Sequence, residues 1–324
     1  MLVAVTLPGI ESFLIGECKA LGVSVGQVGD GWVELLSDDP GPLMRGSGTL
    51  RALVDLVWRG AAGALPARLP SAARLWFESQ WINRAREAAE VRAAVARAAG
   101  GSVEAGLEDA PDLVAILDRG GMLHVGRARA WGCERRRPYR VALMARALNP
   151  ALARAMAMAS RARDGDLCCD PCCGSGTILA ERAMLGPCSL LGVDLDARAL
   201  DAASRSLAGW VAQGRVAVDL RRGDARALPL EAGAATAVAT NLPFGHRMGQ
   251  AADNATLYPA LLREAVRVLR FRSRLVVLTS DRRHLREGLR ACGGALRLRS
   301  EVRVWLGGLE PILGVYDRTD APLP

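Results

Sequence analysis

The chain has 324 residues, half of them hydrophobic and 23% charged, which suits a folded protein of one or two domains with a substantial core. No apolar run approaches the ~18 residues of a membrane span, and the opening MLVAVTLPGIESFLIGEC lacks a basic start and carries Glu11, so neither a span nor a signal peptide is expected and the cytoplasm is the expected location. The net charge is +8 with Lys19 the one lysine, and arginine forks suit phosphates and bases, so nucleic acid is a candidate partner beside a mere codon bias toward arginine.

Residues 1 to about 130 read as a mixture of strands and helices. LVAVTL and GWVELL are strand candidates, and GIESFLIGECKALG is a helix closed by Gly22. ARLWFESQW is a further strand, residues 87–100 a helix, and DLVAILDR with MLHVGRARA a hairpin about Gly120 and Gly121. This pattern predicts one or two small α+β units. WGCERRRPYR, residues 131–140, has the arginine and proline content of a linker.

A helix over residues 147–162 follows, with Asn149 at its N-cap and Pro150 at the first helical position. From Asp166 strands and helices alternate. DLCCD, LLGVD, RVAVDL, AATAVATN and RLVVLTS read as strands. Residues 177–185, 197–210, 256–270 and 281–292 read as helices, the third carrying Leu257, Leu261, Leu262, Ala265, Val266 and Leu269 at helical spacing. The last two strands, LRLRSEVRVW and EPILGVYDR, should form an edge hairpin turned at Gly307-Gly308. Alternation of this kind predicts an α/β fold: a mostly parallel sheet with helices on both faces.

The turn DPCCGSGT connects the first strand of this half to its helix. Asp170 ends the strand, Pro171 turns the chain, and Gly174 and Gly176 allow close backbone approach to a ligand, with free N–H groups at the helix start. Asp194 ends the second strand, where a carboxylate can accept both ribose hydroxyls. Asp224 follows the third, where it can receive an adenine amine. Three successive acidic strand ends beside a glycine turn point to an adenosine-bearing cofactor. A nicotinamide site would want a third glycine where Leu179 stands. An acid at the loop also suits an ammonium better than a pyrophosphate, which favours S-adenosylmethionine and a methyltransferase over an oxidoreductase.

TNLPFG closes the fourth strand. The side-chain oxygen of Asn241 and the carbonyl of Leu242 can accept the N–H groups of an exocyclic base amine, whose lone pair is otherwise delocalised into the ring. Pro243 shapes the turn, and Phe244 can stack on the base.

Together DPCCGSGTILAE, GVDLD, GDARALPL and NLPFGHRMG resemble the class I RNA methyltransferases that carry a THUMP domain, most nearly those acting on guanine N2 of tRNA. The resemblance covers about residues 135–318. It implies a seven-stranded Rossmann-like methyltransferase domain over 147–324, reached through a linker at 133–146. More loosely, it implies a ferredoxin-like unit at 1–65 and a THUMP-like RNA-binding domain at 66–132. It implies S-adenosylmethionine as donor, held by Asp170, Pro171, Cys173, Gly174, Gly176, Thr177, Asp194, Leu195, Asp224, Ala225 and Asn241. Asn241, Leu242, Pro243 and Phe244 would be catalytic, on guanine N2 in tRNA. Guanine N2 in rRNA, adenine N6, and a catalytically weak RNA-binding relative remain as alternatives. The family often has Pro and Tyr where Leu242 and Phe244 stand.

Arg135, Arg136, Arg137, Arg140 and Arg247 are candidates for RNA phosphates. Glu181 is a candidate to support the cofactor's amino group through water, or a carboxylate on a helix face. Cys169 and Cys172 form a lone CxxC with no second pair, so no metal is expected. The thiols around Asp170 read as small buried residues.

Overall fold

The computed structural model describes residues 1–37, 39–80, 84–105, 110–133, 137–140, 147–243, 250–306 and 308–323. They divide into two units, Met1–Arg136 with Trp305–Leu309, and Arg137–Val304 with Glu310–Pro324.

The first unit holds β1 (Leu2–Val5), α1 (Glu11–Ala20), β2 (Val25–Gly29), β3 (Trp32–Leu35), α2 (Gly41–Gly46), β4 (Ala52–Ala61), β5 (Arg74–Ser79), α3 (Ala85–Ala98), β6 (Val103–Glu104), β7 (Leu113–Leu117) and β8 (Met122–Ala130). One sheet runs through all of it, in the order β2-β3-β1-β4-β8-β7-β5-β6. β4 is the joint, antiparallel to β1 on one side and to β8 on the other. Alternate residues of the strands face opposite ways. Ala4, Val33 and Leu53 pack on α1, and Leu113, Ala115 and Leu117 pack on α3. Val3, Val5, Val54, Val114 and Ile116 make a further core that joins strands of both halves. The boundary expected at 65–66 falls between β4 and β5, inside this sheet.

The second unit begins with α4 (Pro150–Ser160). Its N-cap is as expected, with the Ala151 N–H donating to Asn149 Oδ1 at 2.9 Å. Then come β9 (Leu167–Asp170), α5 (Thr177–Leu185), β10 (Cys188–Asp194), α6 (Ala197–Ala212), β11 (Val216–Arg222), β12 (Ala235–Asn241), α7 (Gln250–Val268), β13 (Leu269–Thr279), α8 (Arg282–Arg290), β14 (Leu296–Arg303) and β15 (Ile312–Arg318). The sheet order is β11-β10-β9-β12-β13-β15-β14. β9 to β13 run parallel, and β15 is antiparallel to both β13 and β14, forming the closing hairpin.

Both faces of the sheet are covered at its centre, which is why β9, β10 and β12 read as continuous apolar runs while the edge strands β11 and β14 do not. Cys168, Leu190 and Ala237 pack with Leu179, Ala183, Leu207 and Trp210 of α5 and α6. Cys169, Leu191, Val238 and Leu275 pack with Tyr258, Leu261, Leu262 and Leu285 of α7 and α8. α7 starts at Gln250, earlier than the apolar periodicity from residue 256 predicts, so Pro259 lies inside the helix. The sequence before residue 256 has no apolar period, and Asn254 there is a buried polar residue that donates to the Pro243 carbonyl just past β12.

Candidate active site

Four parallel strands stand in the order β11-β10-β9-β12, so their carboxyl ends open on one edge of the sheet, where open α/β sheets hold ligands. Asp170 closes β9, Asp194 closes β10, Asp224 follows β11 and Asn241 closes β12. The four residues singled out at strand ends are therefore neighbours.

The turn after β9 is tied to β10. The Cys173 N–H donates to the Val193 carbonyl at 3.0 Å, and the Gly174 N–H to Asp194 Oδ2 at 2.8 Å. The two glycines do different work. At Gly174, with φ +53°, a Cβ would meet nothing within 4 Å, which leaves the backbone open to a ligand. At Gly176, with φ +76°, a Cβ would stand 3.0 Å from Ala203 Cβ, so this glycine lets the start of α5 pack on α6. Pro171, Cys173 and Thr177 are buried around the turn.

A cavity of about 150 Å³ opens here, its wall including Asp170, Cys172, Gly174, Thr177, Ile178 and Asn241. Asp170 is 1% exposed. Burial pushes its carboxyl up to about 7, against the Cys172 N–H that donates to its Oδ1. Asn241 Oδ1 is buried and has no hydrogen-bond partner among the described residues. A buried carboxylate in want of a cation and a buried carbonyl oxygen in want of a donor share one wall.

Asp194 also accepts from the Asp196 N–H at 3.0 Å through Oδ1, and each oxygen keeps a further lone pair for a hydroxyl. Asp224 is gripped by the Arg226 guanidinium, whose Nε and Nη2 lie 2.9 and 2.5 Å from its Oδ2. That hydrogen bonding holds its carboxyl below the usual range. Leu195 is 67% exposed between these acids, an apolar surface that a purine can cover, whereas the Ala225 side chain is buried in the core. The set fits S-adenosylmethionine, with Asp170 for its ammonium, Asp194 for its ribose, and Leu195 with Asp224 beside its adenine.

The segment after β12 is held from β13 and α7. The Leu242 N–H donates to the Leu278 carbonyl at 3.0 Å and its side chain is buried in the core. The Pro243 carbonyl accepts from Tyr258 Oη at 2.6 Å and Asn254 Nδ2 at 3.2 Å. Tyr258 Oη also contacts Thr279 Oγ1 at 2.8 Å, and Asn254 Nδ2 donates to Asp281 Oδ2 at 2.9 Å. Asp281 in turn contacts His284 Nδ1 at 2.7 Å. Sequence reasoning misses Asn254 and Tyr258. The signal was present as two hydrogen-bonding residues four apart on one helix face, next to the fourth strand end. Phe244 and Arg247 lie outside the described residues, as do Arg135 and Arg136.

Arg137 requires a correction. Expected on RNA phosphates, it is instead bound in the interior, its Nε 2.8 Å from Glu181 Oε1. Tyr139 Oη donates to the same oxygen at 2.6 Å, and Arg154 Nη1 stands 3.9 Å from Oε2. Glu181 is therefore a buried, paired carboxylate and not a solvated one, with Oε2 lacking a hydrogen-bond partner among the described residues. Burial pushes its carboxyl up and the two guanidiniums pull it back. Arg140 is half-buried beside a small cavity that Ser175, Thr177 and Ser206 also line.

None of the eight cysteines is in a disulfide. Burial raises the thiols of Cys168, Cys169, Cys172 and Cys173, and the Asp170 charge adds to this at each. Thiolate chemistry at this turn is thereby suppressed.

A central parallel sheet closed by an antiparallel hairpin, with a glycine turn and acidic strand ends on its carboxyl edge, defines a Rossmann-like methyltransferase. The chain belongs to UPF0020, the RMKL-like methyltransferase domain family, whose model matches residues 137–312. It is 33% identical over 165 residues to the Bos taurus tRNA (guanine(6)-N(2))-methyltransferase THUMP3, across 48% of this chain and 33% of that protein. It is 34% identical over 175 residues to the Thermus thermophilus tRNA (guanine(6)-N2)-methyltransferase, across 53% of this chain and 50% of that protein. The sequence match thus spans between a third and a half of these relatives. In structure the chain is similar to TrmN from Thermus thermophilus, with a TM-score of 0.69 and 27% identity over 98% of this chain and 99% of that one.

Proposed function

We propose that this protein transfers a methyl group from S-adenosylmethionine to the exocyclic N2 amine of a guanine in tRNA. The observation that carries the reading is Asn241 Oδ1, buried without a partner in the wall it shares with Asp170 and Gly174. An amine N–H donated to that oxygen, and a second to the Leu242 carbonyl, turn the nitrogen lone pair toward the methyl. Tyr258 and Asn254 hold the Pro243 carbonyl and so fix the direction of the segment that presents both acceptors. Sequence similarity to two enzymes named for guanine N2 supports that base position. Residues 1–65 and 66–132 are read as ferredoxin-like and THUMP-like parts that grip the RNA, and Arg135, Arg136, Arg140 and Arg247 as phosphate contacts. The location is read as the cytoplasm.

The test is binding of S-adenosylmethionine by calorimetry together with methyl transfer to unmodified tRNA, followed by nucleoside mass spectrometry. Expected are cofactor binding, one N2-methylguanosine per tRNA, and loss of transfer in Asn241→Ala with cofactor affinity and fold retained. Absence of transfer to tRNA by the wild-type protein would refute the proposal.

A further inference from the structure

At the amino ends of the same parallel strands the second unit carries a larger cleft, of about 620 Å³. Thr236 lines this cleft and Asn241 lines the cofactor cavity, at the two ends of β12 and about 17 Å apart at ~3.3 Å per residue. The two openings are separate sites on opposite edges of one sheet.

Eight arginines and three aspartates line the cleft. Of the aspartates, Asp317 is occupied by Arg274 at 3.4 Å, Arg299 at 3.2 Å and Arg297 at 3.8 Å. Asp166 accepts the Arg163 backbone N–H at 2.6 Å, and Asp320, exposed at the rim, is in no ion pair among the described residues. Arg318 is turned onto the Val266 carbonyl at 3.1 Å. That leaves Arg161, Arg163, Arg270 and Arg272, all exposed, with no acidic partner among the described residues.

The backbone turns these cations outward. The register between β12 and β13 shifts between the pairs Ala235–Leu269 and Ala237–Arg274, and Arg270 to Ser273 pair with neither β12 nor β15. A second shift, between Leu298 and Ser300 of β14, leaves Arg299 out of the strand pairing, and its side chain goes to Asp317. Bulges re-aim side chains in this way. Arg161 and Arg272, with φ of 52° and 63°, are the two non-glycine residues in the left-handed region among those described, and both line this cleft. Arg161 takes it as the C-cap of α4, whereas Arg272 takes it inside the irregular stretch of β13. Phe271, 47% exposed, stands between Arg270 and Arg272, with the Arg272 guanidinium 5.8 Å from its ring centre.

We propose that this cleft is a second RNA-binding site, which holds the phosphate backbone of the substrate RNA away from the base being methylated and stacks an unpaired base on Phe271. The choice of RNA rests on the function proposed above; the anionic, multi-phosphate character of the ligand does not. Four unpaired forks dispersed round a cleft of this size match several phosphates rather than one small anion. An aromatic ring among arginines is the pairing that grips single-stranded nucleic acid. A concave surface with one exposed aromatic suits a polymer strand better than the flat face of a bilayer.

The experiment is fluorescence anisotropy of a labelled tRNA transcript with the full chain, titrated between about 50 and 200 mM salt, where phosphate contacts show as the slope of log affinity on log salt. The variants are Arg270→Ala with Arg272→Ala, and Phe271→Ala, all at exposed positions. The double variant is expected to weaken binding at least tenfold and to flatten the slope by about 2, at ~0.9 per phosphate lost. Phe271→Ala is expected to weaken binding about tenfold with the slope kept, as for loss of one stacked base. Cofactor affinity and thermal midpoint should stay unchanged in both. Unchanged affinity and slope in the folded double variant would overturn the site. So would failure of the wild type to bind tRNA, or binding of phosphatidylserine vesicles in its place. The two proposals fail separately: a wild type that methylates tRNA while the double variant binds it equally well loses the cleft, and a wild type that binds through the cleft but transfers no methyl loses the enzyme.

Discussion

Arg137 and Glu181 meet at 2.8 Å with side chains 8% and 0% exposed, so an arginine from the segment ahead of α4 is locked onto a carboxylate of α5. Removing one member of a buried pair strands the other, at about 3–5 kcal/mol. Glu181→Ala strands Arg137 and Arg154 together and should lower the stability measured by urea unfolding by about that much. Arg137→Ala leaves Glu181 with Tyr139 and Arg154 and should cost less. Because Arg137 points inward, its loss should leave the salt slope of RNA binding unchanged, which separates an interior role from a phosphate contact.

Asp170 links stability to pH. Its folded carboxyl titrates at about 7, above the ordinary 3.8, because burial disfavours the charge. A raised carboxyl pKa contributes stability that is complete below the unfolded value and is lost as pH rises through the folded one. Asp170→Asn should therefore gain a few kcal/mol over the wild type at pH 8, at about 1.4 kcal/mol per pKa unit, and almost nothing at pH 4. The same substitution should remove cofactor binding. In the wild type an ammonium would pair with the ionised form, so cofactor affinity should fall about tenfold per unit below pH 7 as Asp170 takes up its proton. Calorimetry at two pH values and in buffers of differing ionisation heat reads both the affinity and the released proton.

The two glycines of the turn should part company on mutation. Gly176→Ala places a Cβ 3.0 Å from Ala203 at a φ of +76°, and should lower the unfolding midpoint by the equivalent of about 1–3 kcal/mol. Gly174→Ala meets open space and carries only the conformational strain, so its folded yield should hold while the cofactor dissociation constant rises. Thermal unfolding with calorimetry on both variants checks the contrast.

Tyr258→Phe deletes the hydroxyl that binds the Pro243 carbonyl and Thr279. A buried hydrogen-bonded hydroxyl is worth about 1 kcal/mol. Stability should drop by that order, cofactor affinity should stay, and kcat for methyl transfer should fall several-fold because the acceptor groups at residues 241 and 242 lose their support. An equal fall in cofactor affinity would contradict the separation of the two tasks.

The second unit was readable because its residues carry their own signals. Thr177–Leu185 and the capped start at Asn149 and Pro150 match the sequence expectation, and Asp170, Asp194 and Asn241 mark strand ends that come together. What was hidden depends on partners distant in sequence. β4 is the joint of the first sheet, yet only its pairing with β1 and β8 makes Ala52–Ala61 a strand, and it was not foreseen. The start of α7 shows no apolar period in sequence, and its Asn254 meets a polar partner, the Pro243 carbonyl. Arg137 looks like one of a run of surface cations until Glu181, far along the chain, proves to be its partner.

The Cys172 thiol on the cavity wall is nearly all protonated at neutral pH, since burial and the neighbouring Asp170 and Asp194 carboxylates disfavour its anion. The side chain is only partly buried and lines the cavity, so an alkylating reagent can reach it but should react slowly. A cofactor seated against Gly174 should slow the labelling further, in proportion to its occupancy. The residues that make this turn chemically quiet thus leave a native reporter of cofactor occupancy, with mass spectrometry as the reader and no foreign probe built in.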